Sequence, residues 1–431
     1  MNKPETNLSE SAQPEIKKSE TTPSDISRSE INSSAITPEE INHPETTAIR
    51  TQAEQTLFRE HSVPLYLTSS FTFETAEQGR ALFADEEAGN IYSRYSNPNT
   101  NEFILKVCQL EKVADGFAFA SGMAAIHAVF AGLLKSGDHI LASRAVFGST
   151  HQLLTKILPK WGISYTYAEI SRPEEWEALI RPETKLIFVE TPSNPGVELV
   201  DLEFLGKLKT RYSKILVVDN CFATPILQTP VDYGADLILH SATKYMDGQG
   251  RVLGGIVVGS KELIAEIRYF ARHSGGALSP FNAWILSKSM ETLSLRMERH
   301  CQNAMELASR LEKNPTIESV KYPFLPSHPQ YALARKQMKA GGGILTFIIK
   351  GGYDAATSFI DHLSLVSNSP NLGDTRSIVT HPASTTHSKL TEAERKQVAI
   401  YPGSIRVSVG LEHIDDIYRD IEQALIKVRI L

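Results

Sequence analysis

The sequence predicts an α/β protein, with a large, mostly parallel sheet domain carrying helices on both faces and a smaller C-terminal α/β domain. Three observations predict it. Short apolar runs recur without polar alternation, as in strands buried on both faces. Stretches of helical length separate several of them, as parallel crossovers require. After about residue 312 the same alternation resumes with fewer strands.

In chain order, residues 1–48 hold nine acids and four bases, so they carry −5 of the net charge of −6. The first aromatic is Phe58. Acids fall at positions 5, 10, 15, 20, 25, 30, 40 and 45, a spacing that matches neither helix nor strand. Such a Ser/Thr/Glu/Pro-rich segment buries too little apolar surface to offset its ordering entropy, and a disordered acidic tail is expected. Residues 49–97, with Pro64, Gly79 and Gly89, read as an irregular or extended arm. In the large domain, 98–296, a helix is predicted over 122–135. Strands are predicted at 139–142, 185–190, 215–220, 235–240 and 255–259. Residues 281–312 read as one long helical stretch, a hinge into a domain spanning 297–431. That domain has a strand at 344–349, a helix near 354–365, a strand at 404–409 and an amphipathic helix over 414–430. No repeat with a period of 20–50 residues is present.

Composition excludes several functions. The near-neutral body argues against nucleic-acid binding. Cys108, Cys221 and Cys301 form neither a disulfide framework nor a paired zinc site, so a reducing cytoplasm is expected. No run approaches the roughly 20 apolar residues of a membrane span, and the N-terminus lacks the pattern of a secretory or transit signal. The glycines of Gly248–Gly254 are spaced wrongly for a dinucleotide fingerprint, and the run leads into a strand. There is no phosphate-binding GxxxxGK[ST] loop and no HExxH. His381 and His387 lie in a polar loop, and no metal is expected.

Ligands of open parallel sheets bind beyond the carboxyl ends of the strands. That rule selects Glu190–Asn194, Asp219–Phe222 and His240–Lys244. Lys244 is either an exposed lysine at a strand exit or an amine made nucleophilic by burial. Asp219 is either a cap or a buried carboxylate facing a cationic ligand atom. Ser121 is a good N-cap, and Gly122 beside it leaves free amides suited to a phosphate. Together these groups match the three needs of pyridoxal 5′-phosphate: a lysine for covalent attachment, a carboxylate for the ring nitrogen and a helix N-terminus for the phosphate.

Six separated motifs then carry a resemblance. They are Tyr92-Ser93-Arg94-Tyr95-Ser96-Asn97-Pro98, Ser121 to Ala125, Glu190 to Pro195, Asp219-Asn220, Ser241 to Lys244, and Ser404 to Gly410. From about Arg50 to its end the chain resembles the pyridoxal-phosphate enzymes of cysteine and methionine metabolism, the trans-sulfuration family. The resemblance implies fold type I. It implies that Lys244 holds the cofactor and moves protons, and that Asp219 pairs with the ring nitrogen. Ser121, Ser241, Thr243 and the amides of Gly122 and Met123 would hold the phosphate. Tyr92 and Arg94 would reach the phosphate in a neighbouring subunit, so a homo-oligomer with shared sites, a dimer of dimers, is implied. Arg406 would grip the substrate α-carboxylate, with Asn194 and Asn371 beside it.

Departures narrow the activity. Phe147 stands where most members stack a tyrosine, so it can stack but cannot carry a proton. Ser149 replaces a cysteine of methionine γ-lyases. Asp374-Thr375-Arg376-Ser377 replaces a Gly-Val-Glu-Ser-like run of the cystathionine enzymes. Cys221–Pro225 and Tyr245–Arg251 are most similar to the O-succinylhomoserine sulfhydrylase branch. The expected reaction is γ-replacement by sulfide, giving homocysteine and succinate, with Arg376 holding the succinyl carboxylate or orienting that wall. Cystathionine synthesis, acetyl-ester use, methionine γ-elimination and a catalytically silent binding subunit are the alternatives.

Overall fold

The computed structural model describes residues 43–388 and 390–428. Seven strands form the large sheet: β1 (Asp115–Phe119), β2 (His139–Ser143), β3 (Ser164–Ala168), β4 (Thr184–Glu190), β5 (Ile215–Asp219), β6 (Leu237–His240) and β7 (Gly255–Gly259). Their order is β1-β7-β6-β5-β4-β2-β3. Alternate residues of each strand enter different cores. Leu141, Ile187, Leu216 and Val218 join one apolar cluster; Ile140, Leu186, Phe188 and Val217 join the other. Helices cover both faces, which is why the strands read as unbroken apolar runs.

The sheet is mixed. Strand β7 runs antiparallel to both β1 and β6, whereas β2–β6 pair in parallel. The chain between β6 and β7 is a turn-rich loop with no crossover helix, so it returns alongside β6 in the reverse direction. Strands β1 and β3 are the two that the apolar-run reading misses. One contains Gly116, and the other is a half-exposed edge with the polar sequence SYTYA.

The second sheet joins β8 (Ile317–Lys321), β9 (Ile344–Ile349), β10 (Ser367–Asn368), β11 (Ile378–Thr380) and β12 (Ser404–Ser408) in the order β10-β11-β12-β9-β8. Strand β12 alternates. Ile405 and Val407 enter the core of the second domain, while Ser404, Arg406 and Ser408 are buried on the other side. The helices Leu293–Leu311, Gly352–Asp361 and Ile414–Val428 supply the rest of that core.

Four features differ from expectation. The stretch 281–312 is two helices, Pro280–Met290 and Leu293–Leu311, interrupted at Glu291 and Thr292. The 296/297 boundary falls inside the second helix. Its first turns, Leu293 to Cys301, pack in the large core, and Ala304 to Leu311 pack in the small one. The arm is not wholly irregular, since Thr75 caps a helix over Ala76–Phe83. The expected tail is also too long at its end. A helix spans Pro44–Arg50, and its Ala48 is buried in the large core. Most of the tail lies outside the described residues.

Phe188 sits in the middle of the sheet, edge-on to Phe130 at 5.2 Å between ring centroids. Phe188→Ala is expected to cost about 3–5 kcal/mol in denaturant unfolding.

Candidate active site

Strands β1, β2, β4, β5 and β6 all end at one edge of the large sheet. A cavity of about 520 Å³ opens there, closed on its far side by residues 370–372 and 406 of the second domain. All the residues singled out in the sequence line it except Ser121, Tyr92, Arg94 and Arg376.

Lys244 follows β6. Its amine donates to Asn371 Oδ1 at 2.7 Å, reaching across the domains. Burial, with the nearby Arg406 charge adding to it, holds the ammonium below its usual range. Asp219 closes β5 and accepts the Cys221 N–H at 3.0 Å. Burial pushes its carboxyl up to about 6, opposed by that N–H and by His240. His240 is bonded to the buried Glu111 at 2.6 Å, and Asn220 donates to the same Glu111 oxygen at 2.9 Å. A polar layer thus lies immediately behind Asp219.

Glu190 ends β4, in register with Asp219. Its two oxygens accept the backbone N–H of Phe147 at 2.8 Å and of Asn194 at 2.9 Å. Burial, with Asp219 adjacent, raises its carboxyl well above the usual range. Glu190 therefore fixes the positions of two lining residues. The strand-end rule selects it from sequence but assigns it no role. The Glu111–His240 pair had no sequence signal, because Glu111 lies in a distant helix, Pro98–Glu111.

Arg406 is fully buried in mid-strand, where an uncompensated charge is costly. It donates to Asn194 Oδ1 at 3.0 Å and to the carbonyls of Pro370 and Asn371 at 3.1 and 3.0 Å. Its Nε has no partner. Burial lowers its pKa to about 10.

Ser121 caps the helix Gly122–Leu133 through the Ala124 N–H at 3.1 Å, so its hydroxyl is spent on the helix. A Cβ at Gly122 would stand 2.8 Å from Ser241 Cβ, so only glycine leaves the backbone this close to that wall. Thr243 exchanges hydrogen bonds with Gly254 at 3.1 and 3.2 Å. Asn97 and Pro98 of the first motif build the start of the helix Pro98–Glu111. Tyr92 and Arg94 lie away from this chain's cavity. Arg94 donates to Arg272 O and stacks over Tyr95.

Arg376 does not reach the cavity. Its guanidinium grips Asp374 at 2.8 and 3.0 Å and Gln249 O at 2.8 Å, and its side chain is 64% exposed. Of the two expected roles, holding the succinyl carboxylate or orienting that wall, the contacts to Asp374 and Gln249 O fit the second.

The family of Cys/Met-metabolism pyridoxal-phosphate-dependent enzymes matches residues 45–426. The chain belongs to that family. An O-succinylhomoserine sulfhydrylase of Pseudomonas aeruginosa is 47% identical over 381 residues, covering 88% of this chain and 94% of that protein. An L-methionine γ-lyase of Fusobacterium nucleatum is 41% identical, covering 89% and 98%. A crystal structure of a putative O-acetylhomoserine (thiol)-lyase from Campylobacter jejuni superposes with a TM-score of 0.87. It is 34% identical, covers 89% of this chain and 100% of its own, and contains N′-pyridoxyl-lysine-5′-monophosphate.

The protein is a pyridoxal-phosphate enzyme of fold type I. The cavity fits the cofactor. A lysine of lowered pKa, a buried carboxylate, a glycine at a helix start and the buried Arg406 all line one space. Among the described residues no cluster suits a metal ion, and no helix is long and apolar enough to cross a membrane.

The Asp219 pKa predicts a pH signature in the cofactor-free protein. Its folded value lies above the ordinary aspartate value of 3.8, so its contribution to stability is complete below about pH 4 and is lost as pH rises through about 6. Apoprotein melting curves between pH 4 and 7 should show this loss, on the order of 2–3 kcal/mol, and Asp219→Asn should reduce it, leaving the share that Glu190 contributes.

Proposed function

We propose that this protein is an O-succinylhomoserine sulfhydrylase, replacing the γ-succinyl group with sulfide to give homocysteine for methionine synthesis. The observation that carries the reading is the convergence of Lys244, Asp219 and Arg406 on one cavity at the carboxyl edge of the sheet. The 47% identical Pseudomonas relative supports the choice of reaction.

When bound, the cofactor supplies an electron sink for a carbanion at the substrate α-carbon. Lys244 carries the cofactor and takes the α-proton; its lowered pKa favours the uncharged amine, the form able to accept a proton. Asn371 Oδ1 holds that amine in place between transfers. Asp219 faces the ring nitrogen, and the positive ring in turn favours its ionised form. Phe147 covers the ring without offering a hydroxyl, so the proton traffic stays on Lys244. Met123 and the Gly122 amide, with Ser241 and Thr243, hold the phosphate. Arg406 and Asn194 clamp the α-carboxylate, turning the α-proton toward Lys244. Tyr92 and Arg94 complete the phosphate site of a second copy, so the active form is a homo-oligomer built from dimers.

Product analysis with purified holoenzyme tests the reading. O-Succinylhomoserine and sulfide should yield homocysteine and succinate in equal amounts. Dominant cystathionine when cysteine is offered, or dominant α-keto acid and ammonia without a nucleophile, would replace it with a synthase or lyase activity. Lys244→Ala should lower kcat by at least about 10³-fold, from loss of both attachment and proton transfer.

A further inference from the structure

We propose that Arg251 binds the distal carboxylate of the substrate's succinyl group and so sets the ester preference; this rests on the sulfhydrylase reading. Among the described residues lining the cavity, the cations are Lys244, Arg251 and Arg406. Lys244 and Arg406 are taken by the cofactor and the α-carboxylate. Arg376 does not line the cavity. A substrate with a second carboxylate at its far end therefore meets Arg251.

The charge around Arg251 is in surplus. Its Nε and Nη2 both donate to Asp247 Oδ1, at 3.0 and 2.9 Å, and Nη2 also reaches Ser289 Oγ. The fully buried Asp247 serves a second guanidinium as well. The charge of Arg296 couples to it, while the Arg296 nitrogens donate to Tyr245 O at 2.6 Å and Ser289 O at 2.9 Å. One carboxylate against two guanidinium groups leaves one net positive charge. The Arg251 side chain is 39% exposed, so that charge is available to a ligand.

The preceding turn holds Arg251 to the wall. Gly248 and Gly250 have φ of +71° and +66°. A side chain at Gly248 would strike the Arg296 guanidinium, and one at Gly250 would stand 2.7 Å from Asp374 Oδ2. The Asp374–Arg376 pair buttresses this turn through Gln249 O, which makes Arg376 a support for the wall. A charge-assisted fork held this way suits a carboxylate. An acetyl group offers it nothing.

The test is steady-state kinetics of the holoenzyme and its Arg251→Met, Arg251→Lys and Arg376→Ala variants with succinyl and acetyl esters, alongside calorimetric binding of free succinate. Arg251→Met should lower kcat/KM for the succinyl ester by about tenfold to hundredfold, mainly through KM, with acetyl-ester kcat/KM changed less than about threefold. Succinate affinity should fall in parallel. Arg251→Lys should show a smaller loss on the succinyl ester alone, and it decides the matter if Arg251→Met does not fold. Arg376→Ala, which loosens the turn but leaves the Arg251 guanidinium in place, should lower succinyl-ester kcat/KM less than Arg251→Met does. Equal losses on both esters, or an unchanged ratio in both Arg251 variants, would overturn the assignment. Wild-type enzyme that released no succinate would sink the sulfhydrylase reading and this inference with it, an outcome distinct from an unchanged ratio.

Discussion

A fully buried guanidinium, Arg406, joins the two sheets of this protein. Its charge sits in the middle of β12, where desolvation is costly unless every nitrogen finds an acceptor. Two of its nitrogens find Asn194, Pro370 and Asn371, which belong to opposite walls of the cavity. One nitrogen does not. The residue that docks the domains also lines the cavity, so assembly of the cavity and placement of a cation in its wall come from one side chain. Asn371 extends the link by holding the Lys244 amine.

Behind that clamp, the large sheet delivers chemistry by ending. Its strands are apolar along their length and polar at their carboxyl ends, where Glu190, Asp219 and His240 emerge. Burial there disfavours charge, so both Glu190 and Asp219 are raised, and their proximity adds to the effect on Glu190. Glu190 meets that cost with two backbone amides and in doing so orients Phe147 and Asn194. The Glu111–His240 pair sits one layer deeper and moderates Asp219 electrostatically. The rim of the cavity works differently: Arg251, Asp247 and Arg296 form a shared-charge cluster that is only partly enclosed.

Much of this was legible from the sequence. Unbroken apolar runs are a local property, so β2, β4, β5, β6, β7, β9 and β12 were found within a residue or two. The strand-end rule reached Lys244 and Asp219 before any resemblance was used. Local pattern failed where neighbours decide. Strand β3 is polar because it is an edge, and Pro44–Arg50 is helical because Ala48 finds the large core. The direction of β7 depends on a loop whose course no periodicity records.

By itself, the sequence determined the fold class and the set of groups a pyridoxal phosphate needs, since each is written in short segments. The tertiary structure decided which charges are free to act. Arg376 reads as an available cation in the chain, yet it pairs with Asp374 outside the cavity, whereas Arg251, which ends the branch-matching run Tyr245–Arg251 and is given no role there, lines it. Availability of a charge is set by its partners. Those partners come from segments far apart along the chain, which only folding brings within hydrogen-bond reach.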